Sequence, residues 1–167
     1  DPVEALRKVL ILFANLQEQD VHLLTRLGHV QRLQPQAVLL RQGDEVPNLY
    51  LLLSGEAEIL LTISGNTHVV GSSRRGELLG EMSLLLDEQR GAAAGVQSAK
   101  GMDLLTINRS SLLAELERNP ALASRFYRGL ACMLSQRSRD QLLSHQRGTT
   151  SQLAEQDAID RLELDQL

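Results

Sequence analysis

The sequence predicts an α+β fold in which a β-sandwich or barrel lies between helical ends. Apolar residues recur at helical spacing from Val3 to Leu27, and the same spacing returns after Asn108. Between these segments, from His29 to Ile107, short runs of alternating apolar and polar residues are bounded by glycine and proline. Short strands at regular spacing with tight turns favour antiparallel pairing over a parallel sheet.

The composition is that of a globular chain. A length of 167 residues is enough for one domain with a sizeable core and appended helices. The net charge of −4 gives no overall attraction to nucleic acid or anionic lipid. The single cysteine, Cys132, offers no disulfide framework and fits a reducing compartment. No apolar run approaches the roughly 18 residues of a membrane span, and the chain opens with neither a signal peptide nor methionine, so we expect a piece of a longer protein.

Four segments are predicted along the chain. Residues 1–28 form a helical segment, interrupted near Asn15, whose apolar positions are Leu6, Val9, Leu10, Phe13, Leu16, Val21, Leu24 and Leu27. Residues 29–107 form the strands. In "GEAEILLTIS" one face carries Ala57, Ile59, Leu61 and Ile63. Tight turns are predicted at Gln42–Asp44, Ser54–Glu56 and Ser64–Thr67.

The helical period returns in residues 108–146. Asn108 or Ser110 is placed to cap a first helix, and Asn119-Pro120 begins a second one. The apolar face of this second helix is formed by Leu122, Phe126, Leu130, Met133 and Leu134. The helix is predicted to end near His145, because "RGTTS" at Arg147–Ser151 breaks the pattern. Residues 147–167 are expected to be an acidic tail or linker, either a short amphipathic helix or loose chain.

The stretch Gly76–Arg90, "GELLGEMSLLLDEQR", contains the candidate ligand-binding residues. A glycine turn at Gly80 followed by "EMSLLL" predicts a short helix whose first amides are free, with the Ser83 hydroxyl nearby. Arg90 supplies a permanent planar cation suited to two phosphate oxygens. Glu81 would repel a phosphate, but its carboxylate can accept a hydrogen bond from a sugar hydroxyl. The pattern indicates a phosphorylated sugar, although on spacing alone a solvated Glu–Arg surface pair is the commoner explanation.

Other kinds of site have little support in the sequence. The four histidines lack ligand spacing, and with one cysteine no zinc site can be argued, so no metal is expected. No nucleophile motif and no clustered carboxylates occur, so we do not expect an enzyme. The phosphate-binding loop pattern G-x-x-x-x-G-K-[ST] is also missing, which argues against a nucleoside triphosphate.

The run from Leu12 to Leu143 resembles the cyclic nucleotide-binding domain family. The resemblance rests on "LLRQGDEVPNLYLLLSGEAEILL", on "GELLGEMSLL" and on an arginine nine residues after the glutamate of that motif. The turn glycines at the family's places are Gly43, Gly55, Gly76 and Gly80. The resemblance implies an eight-stranded antiparallel β-roll, or jelly roll, with N-terminal helices and a C-terminal helical lid.

The resemblance also assigns roles to single residues. It implies that Glu81 binds the ribose 2′-hydroxyl and that Arg90 binds the cyclic phosphate. The residues that would line the same phosphate-binding cassette are Gly80, Met82, Ser83, Gly91 and Ala92. Family members often carry Thr or Ser soon after the arginine, which favours cGMP. This chain has "RGAAAGV" there and resembles the cAMP-preferring members.

One departure from the family pattern follows the cassette. The stretch from Arg90 to the strand "DLLTI" looks one or two residues longer than usual and is rich in alanine and glycine. It predicts a bulge or longer turn near "SAKGM", or else a weakened or lost pocket.

The resemblance implies a regulatory module with cAMP as its ligand. In the family the last helix closes over the base, so the lid candidates are Gln136, Arg137, Arg139 and Asp140. Ligand binding is expected to pull the cassette inward and, through Leu84 or Leu85, to move the helices after Asn119. The module would be cytoplasmic and part of a larger parent protein, with a membrane transporter or channel among the candidates. A homodimer through the long helix stays open, and no direct contact with nucleic acid is expected.

Two rival functions stay open at this point. A degenerate module that binds no nucleotide would serve as a protein-interaction or dimerisation domain. A DNA-associated fragment would use the six arginines of residues 118–147, which stand against one acid. The acidic net charge disfavours the second rival.

Overall fold

The computed structural model describes residues 14–86 and 91–164, with residues 149–164 described by their backbone alone. The chain divides into two compact units, Asp1–Leu130 and Ala131–Leu167. The helices of the described residues are α1 (Glu18–Leu27), α2 (Glu81–Leu85), α3 (Arg109–Arg118) and α4 (Pro120–Leu164). The strands are β1 (Gly28–Leu33), β2 (Val38–Leu40), β3 (Asn48–Ile63), β4 (Asn66–Arg74), β5 (Leu78–Leu79) and β6 (Gly95–Asn108).

The predicted α+β class is confirmed: one antiparallel sheet has helices before and after it in the chain. The strand order is β1-β6-β3-β4, with β2 paired to β6 and β5 paired to β3. Six strands are described where the family resemblance implied eight. The lower number has a physical reason, because β3 and β6 are long strands that continue through register shifts instead of stopping at them.

Both faces of the central strand pair are buried. One face of β3 and β6 carries Tyr50, Leu52 and Leu104, which belong to the core inside the roll. The alternating positions Leu49 and Leu51 face the other way and are equally buried. Helices α1 and α3 contact β6, so they cover this second face. A sheet covered on both faces explains why this stretch reads as a continuous apolar run.

The predicted turn at Ser54–Glu56 is wrong, because β3 continues through it. The residue pairs Gly55–Met102 and Ala57–Ser98 flank a bulge in which Ala99, Lys100 and Gly101 oppose Glu56 alone. The Gly101 amide donates to the Ser98 hydroxyl oxygen at 2.8 Å, which holds the bulge. The bulge predicted near "SAKGM" is thereby confirmed.

The two other predicted turns are confirmed. Ser64 and Gly65 have φ of 51° and 83° and close the β3–β4 hairpin. In the turn at Gln42–Asp44 the Asp44 amide donates to the Arg41 carbonyl at 3.1 Å. Beyond Leu60, β3 has no further partner in β6, and there the Thr62 amide donates to Gln42 Oε1 at 2.8 Å.

The helix starts follow the predicted signals. The Asn108 side chain accepts a hydrogen bond from the Ser111 amide at 3.0 Å, which caps α3. Asn119 accepts from the Leu122 amide at 3.1 Å and so caps α4, with Pro120 in the first turn. Of the N-terminal segment, residues 1–13 lie outside the described residues, and α1 begins after the predicted interruption near Asn15.

The predicted helix break at Arg147–Ser151 is wrong, since α4 runs without interruption to Leu164. An isolated glycine in a helix costs only about 1 kcal/mol relative to alanine. The residues on either side of Gly148 keep helical geometry, so one glycine and two threonines do not end the helix. Among the described residues, none of the helices combines the length and hydropathy that crossing a membrane requires.

The continuity of α4 gives a first prediction. A methyl group at Gly148 would meet no atom within 4 Å, so Gly148→Ala should raise the helix content and stabilise this part of α4 by about 1 kcal/mol. Far-UV circular dichroism over a temperature ramp measures the effect, and Gly148→Pro, which should lower the helix content, gives the reference for a break. Unchanged ellipticity in both variants would contradict a continuous α4 and would support a helix that ends before Gly148, as the sequence predicted.

Candidate functional site

Strand β5 and helix α2 place the acidic residue of the predicted cassette. Leu78 and Leu79 are buried and pair with Leu51 and Tyr50 of β3, which fixes where the cassette begins. Gly80 follows with φ of 82° and reverses the chain. A Cβ at Gly80 would lie 2.9 Å from the Asn48 carbonyl oxygen, so the turn requires glycine for space as well as for conformation.

Glu81 is the first residue of α2, and only 8% of it is exposed. Burying a carboxylate costs free energy unless the group is hydrogen-bonded, so the surrounding structure holds the Glu81 side chain in a defined position. A carboxylate held at the mouth of a turn is suited to accept a hydrogen bond from a sugar hydroxyl.

The Ser83 side chain hydrogen-bonds to the backbone of the cassette. Both its amide and its hydroxyl donate to the Gly80 carbonyl oxygen, at 3.2 and 2.6 Å. The hydroxyl that the sequence offered to a ligand thus stabilises the start of α2 in this structure, while its oxygen remains able to accept. Met82, in contrast, has 52% of its surface exposed, and Leu85 and Leu86 are exposed as well.

The far end of the cassette is docked onto the turn at Gln42–Asp44. Gly91 has φ of 63°. Ala92 is buried; its amide donates to the Asp44 carbonyl at 2.7 Å, and its carbonyl accepts from the Gly43 amide at 2.8 Å. Arg90, the predicted phosphate ligand, lies outside the described residues, and its role stays a prediction.

The four lid candidates belong to the second compact unit, which begins at Ala131. Gln136 donates to the Asp140 carboxylate at 3.0 Å, one helical turn further along α4. Arg139 and Asp140 are exposed, and Arg137 is half-buried. Their part in covering a base stays a prediction.

Arg109 is a residue of this region that the sequence reasoning missed. It is the first residue of α3; its amide donates to the Pro47 carbonyl at 3.0 Å, and its Nη1 donates to the Ser83 carbonyl at 3.4 Å. It therefore links the cassette helix to the first C-terminal helix. A cation in the first turn of a helix interacts unfavourably with the helix dipole. The position of Arg109 directly after the capping residue was therefore the sequence signal that could have pointed to a specific contact.

A cavity of 630 Å³ lies beside the turn at Gln42–Asp44. Its lining comes from β2, β3, β4, the start of β6 and the turn after β2, and includes none of the described cassette residues. Within the described residues, no group of three or more His, Cys, Asp or Glu side chains is arranged to hold a metal ion.

Known protein families include one with this arrangement of strands, cassette helix and C-terminal helix. The profile described as "Cyclic nucleotide-binding domain" matches residues 30–119, more than half of the chain. The chain belongs to this family. The matched residues include all of the described strands from β2 to β6, helix α2 and all of α3.

Three relatives of this cyclic nucleotide-binding domain show its range. The "Cyclic AMP receptor protein" of Thermus thermophilus is 35% identical over 132 residues, which are 77% of this chain and 57% of that protein. The rice "Potassium channel KAT3" is 28% identical over 108 residues, 65% of this chain and 21% of the channel. The regulatory domain of Toxoplasma gondii PKA, solved with cAMP, superimposes with a TM-score of 0.60 at 29% identity, covering 68% of this chain and 44% of that one.

Each of these relatives matches this chain over only part of its own length. The chain spans little more than half of the Thermus protein and about a fifth of the channel. The confirmed part of the sequence interpretation is therefore the family and its fold, which is homologous to cAMP receptors and PKA regulatory domains.

Proposed function

We propose that this chain is a regulatory module that binds a cyclic nucleotide, with cAMP preferred over cGMP. The observation that carries the proposal is the buried Glu81 at the start of α2, directly after the left-handed Gly80, in a chain of this family. Glu81 would accept a hydrogen bond from the ribose 2′-hydroxyl, and Arg90 would neutralise the single charge of the cyclic phosphate.

The preference for cAMP rests on the residues after Arg90. Gly91, Ala92, Ala93 and Ala94 offer no hydroxyl there. The names of two relatives, a cyclic AMP receptor protein and a PKA regulatory domain solved with cAMP, support the same ligand.

The module would pass ligand binding on to its C-terminal helices. Leu84 is half-buried and Leu85 exposed in α2, while Arg109 joins the Ser83 carbonyl to the start of α3. A shift of the cassette that ligand favours would therefore bias the position of α3. The output would lie in a larger parent protein, for which a potassium channel and an anaerobic regulatory protein among the relatives are examples. We place the module in the cytoplasm, where cyclic nucleotides are produced, without an enzymatic activity of its own.

Calorimetric titration with cAMP and cGMP tests the proposal. The chain is first unfolded and refolded to remove nucleotide carried over from the expression host. We expect a 1:1 complex with cAMP with a Kd of about 10 μM or lower, near −7 kcal/mol, and at least tenfold weaker binding of cGMP. A folded chain that gives neither heat nor a thermal shift with both nucleotides would instead support the degenerate interaction module.

A further inference from the structure

The cavity beside the turn at Gln42–Asp44 lies on the outer face of the roll. Side chains alternate along a strand, and Ile59 of β3 packs against the core inside the roll. Leu60 and Thr62 line the cavity, and they point to the opposite face of the same strand. The cavity therefore lies across the sheet from the interior of the roll. We call it the outer groove, and its lining includes Val38, Arg41, Leu60, Thr62, Thr67 and Gly95.

Gly95 leaves room in the outer groove. An added Cβ would lie 3.4 Å from the Leu40 carbonyl oxygen and 3.5 Å from the Leu60 Cβ, which are ordinary contact distances. Both neighbours line the groove, so a side chain at this position would occupy its volume. The backbone of Gly95 is also outside the left-handed region. Neither crowding nor conformation therefore requires glycine here, and the missing side chain keeps the groove deep.

Two kinds of hydrogen-bond donor face the outer groove. Arg41 is exposed, and across the side chains that the structure describes its guanidinium has neither a hydrogen bond nor an ion pair. The nearby Asp44 carboxylate accepts from the Arg41 amide at 3.1 Å and not from its guanidinium. The hydroxyl oxygens of Thr62 and Thr67 lie 2.9 Å apart. One hydroxyl proton bridges them, so the other proton is available to a ligand.

We propose that the outer groove binds a small organic anion with an apolar body, such as a medium-chain carboxylate. The apolar body packs against Val38, Leu60 and the backbone of Gly95, and the Arg41 guanidinium attracts the charged head. The groove volume of 630 Å³ falls within the range of roughly 300–1,000 Å³ that small-molecule sites occupy. This binding site does not depend on the proposed nucleotide site.

The test is an NMR titration of the full chain with three probes of equal chain length. Octanoate carries a negative head, 1-octanol a neutral one and octylammonium a positive one. Octanoate should bind saturably with a Kd of about 1 mM or lower. It should shift the amide signals of Thr62, Thr67 and Gly95 and leave those of Gly80 and Ser83 in place. Octylammonium should bind about tenfold more weakly than octanoate, with 1-octanol between them.

Two variants separate the charged head from the apolar body. Arg41→Gln should weaken octanoate binding about fivefold and leave 1-octanol binding unchanged. The matched control is Arg75→Gln, since Arg75 is also exposed but does not line the groove. Gly95→Val should weaken octanoate and 1-octanol alike, by about tenfold, because its methyl groups take the space of two methylenes of the ligand. The exposed Arg41 variant gives a result even where Gly95→Val fails to fold.

Several outcomes would count against this site. No saturable shift with octanoate would show that the groove holds no such anion. Shifts centred on Gly80 and Ser83 would place the probe at the cassette instead. Equal affinities for all three probes, or equal losses in Arg41→Gln and Arg75→Gln, would show that the groove does not select a negative head.

Discussion

Replacing Arg90 with alanine should weaken cAMP binding at least a hundredfold. A guanidinium makes two charge-assisted hydrogen bonds to a phosphodiester, each worth roughly 1.5–3 kcal/mol. A hundredfold change in Kd corresponds to about 2.7 kcal/mol. Arg90→Lys keeps the charge but loses the planar fork, so it should fall between the alanine variant and the wild-type chain. Calorimetric titration gives the three affinities.

The role of Glu81 can be tested separately from that of Arg90 with 2′-deoxy-cAMP, which lacks the ribose 2′-hydroxyl. The wild-type chain should bind cAMP about tenfold more tightly than the deoxy compound, because a buried carboxylate then loses its hydroxyl partner. Glu81→Ala should remove most of that discrimination, because it removes the acceptor, whereas Arg90→Lys should retain it. Equal discrimination in all three proteins would contradict the assignment of Glu81 to the ribose. Thermal midpoints without ligand control for misfolding.

The second large effect is expected at the ion pair between α1 and the first part of α4. Arg125 Nε and Nη2 donate to the two carboxylate oxygens of Asp20 at 2.6 and 2.8 Å. Asp20 is only 3% exposed and also accepts from the Gln17 amide at 2.9 Å. The hydrogen bonds that Arg125 donates to Asp20 raise the pKa of Arg125 above its ordinary value, which favours the charged guanidinium. The pair joins residues that are 105 positions apart.

Arg125→Ala should therefore lower the thermal midpoint by roughly 5–10 °C, since removing one partner leaves a buried charge without its cation. The matched control is Arg32→Ala. Arg32 also makes a bidentate pair, with Asp103, but 75% of its side chain is exposed, and its loss should change the midpoint by no more than about 2 °C. Differential scanning calorimetry measures both variants.

The pH dependence of the Arg125→Ala deficit has a definite sign. Without the cation, burial penalises the charged form of Asp20 and favours the neutral acid. The folded state of the variant then binds this proton more tightly than the unfolded state does, so acidification stabilises it relative to the wild-type chain. The difference in midpoint should shrink as the pH falls from 7 towards about 4. A deficit that grows on acidification would rule out the charge explanation.

Local signals made much of this fold predictable. The hairpin at Ser64–Thr67, the cap at Asn108 and the helix start at Asn119-Pro120 each depend on a few neighbouring residues, and all three are confirmed. The apolar pattern likewise predicted that the middle of the chain forms strands. The turn at Ser54–Glu56 failed because glycine serves a bulge as well as a turn, and only the long-range approach of Gly101 decides between them.

The site was predictable to the extent that it is local. The left-handed Gly80 and the short helix that starts at Glu81 follow from the sequence "GE" and its apolar continuation, and the structure has both. The contacts that hold the cassette were not predictable. Arg109 reaches Ser83 across 26 positions, and Ala92 pairs with a turn nearly 50 residues earlier. Neither separation leaves a periodic trace in the sequence.

The four residues Arg41–Asp44 have a bearing on how such a module can change over evolution. Surface turns ordinarily accept insertions, because their backbone touches little. Here Gln42 supplies the missing partner at the open edge of β3, while the next two residues pair with Ala92. One added residue would break the spacing between these two attachments, exposing a strand edge to neighbouring chains and loosening the cassette together. Sequence drift in this turn should therefore be confined to substitution, and we expect length variation among relatives elsewhere in the roll.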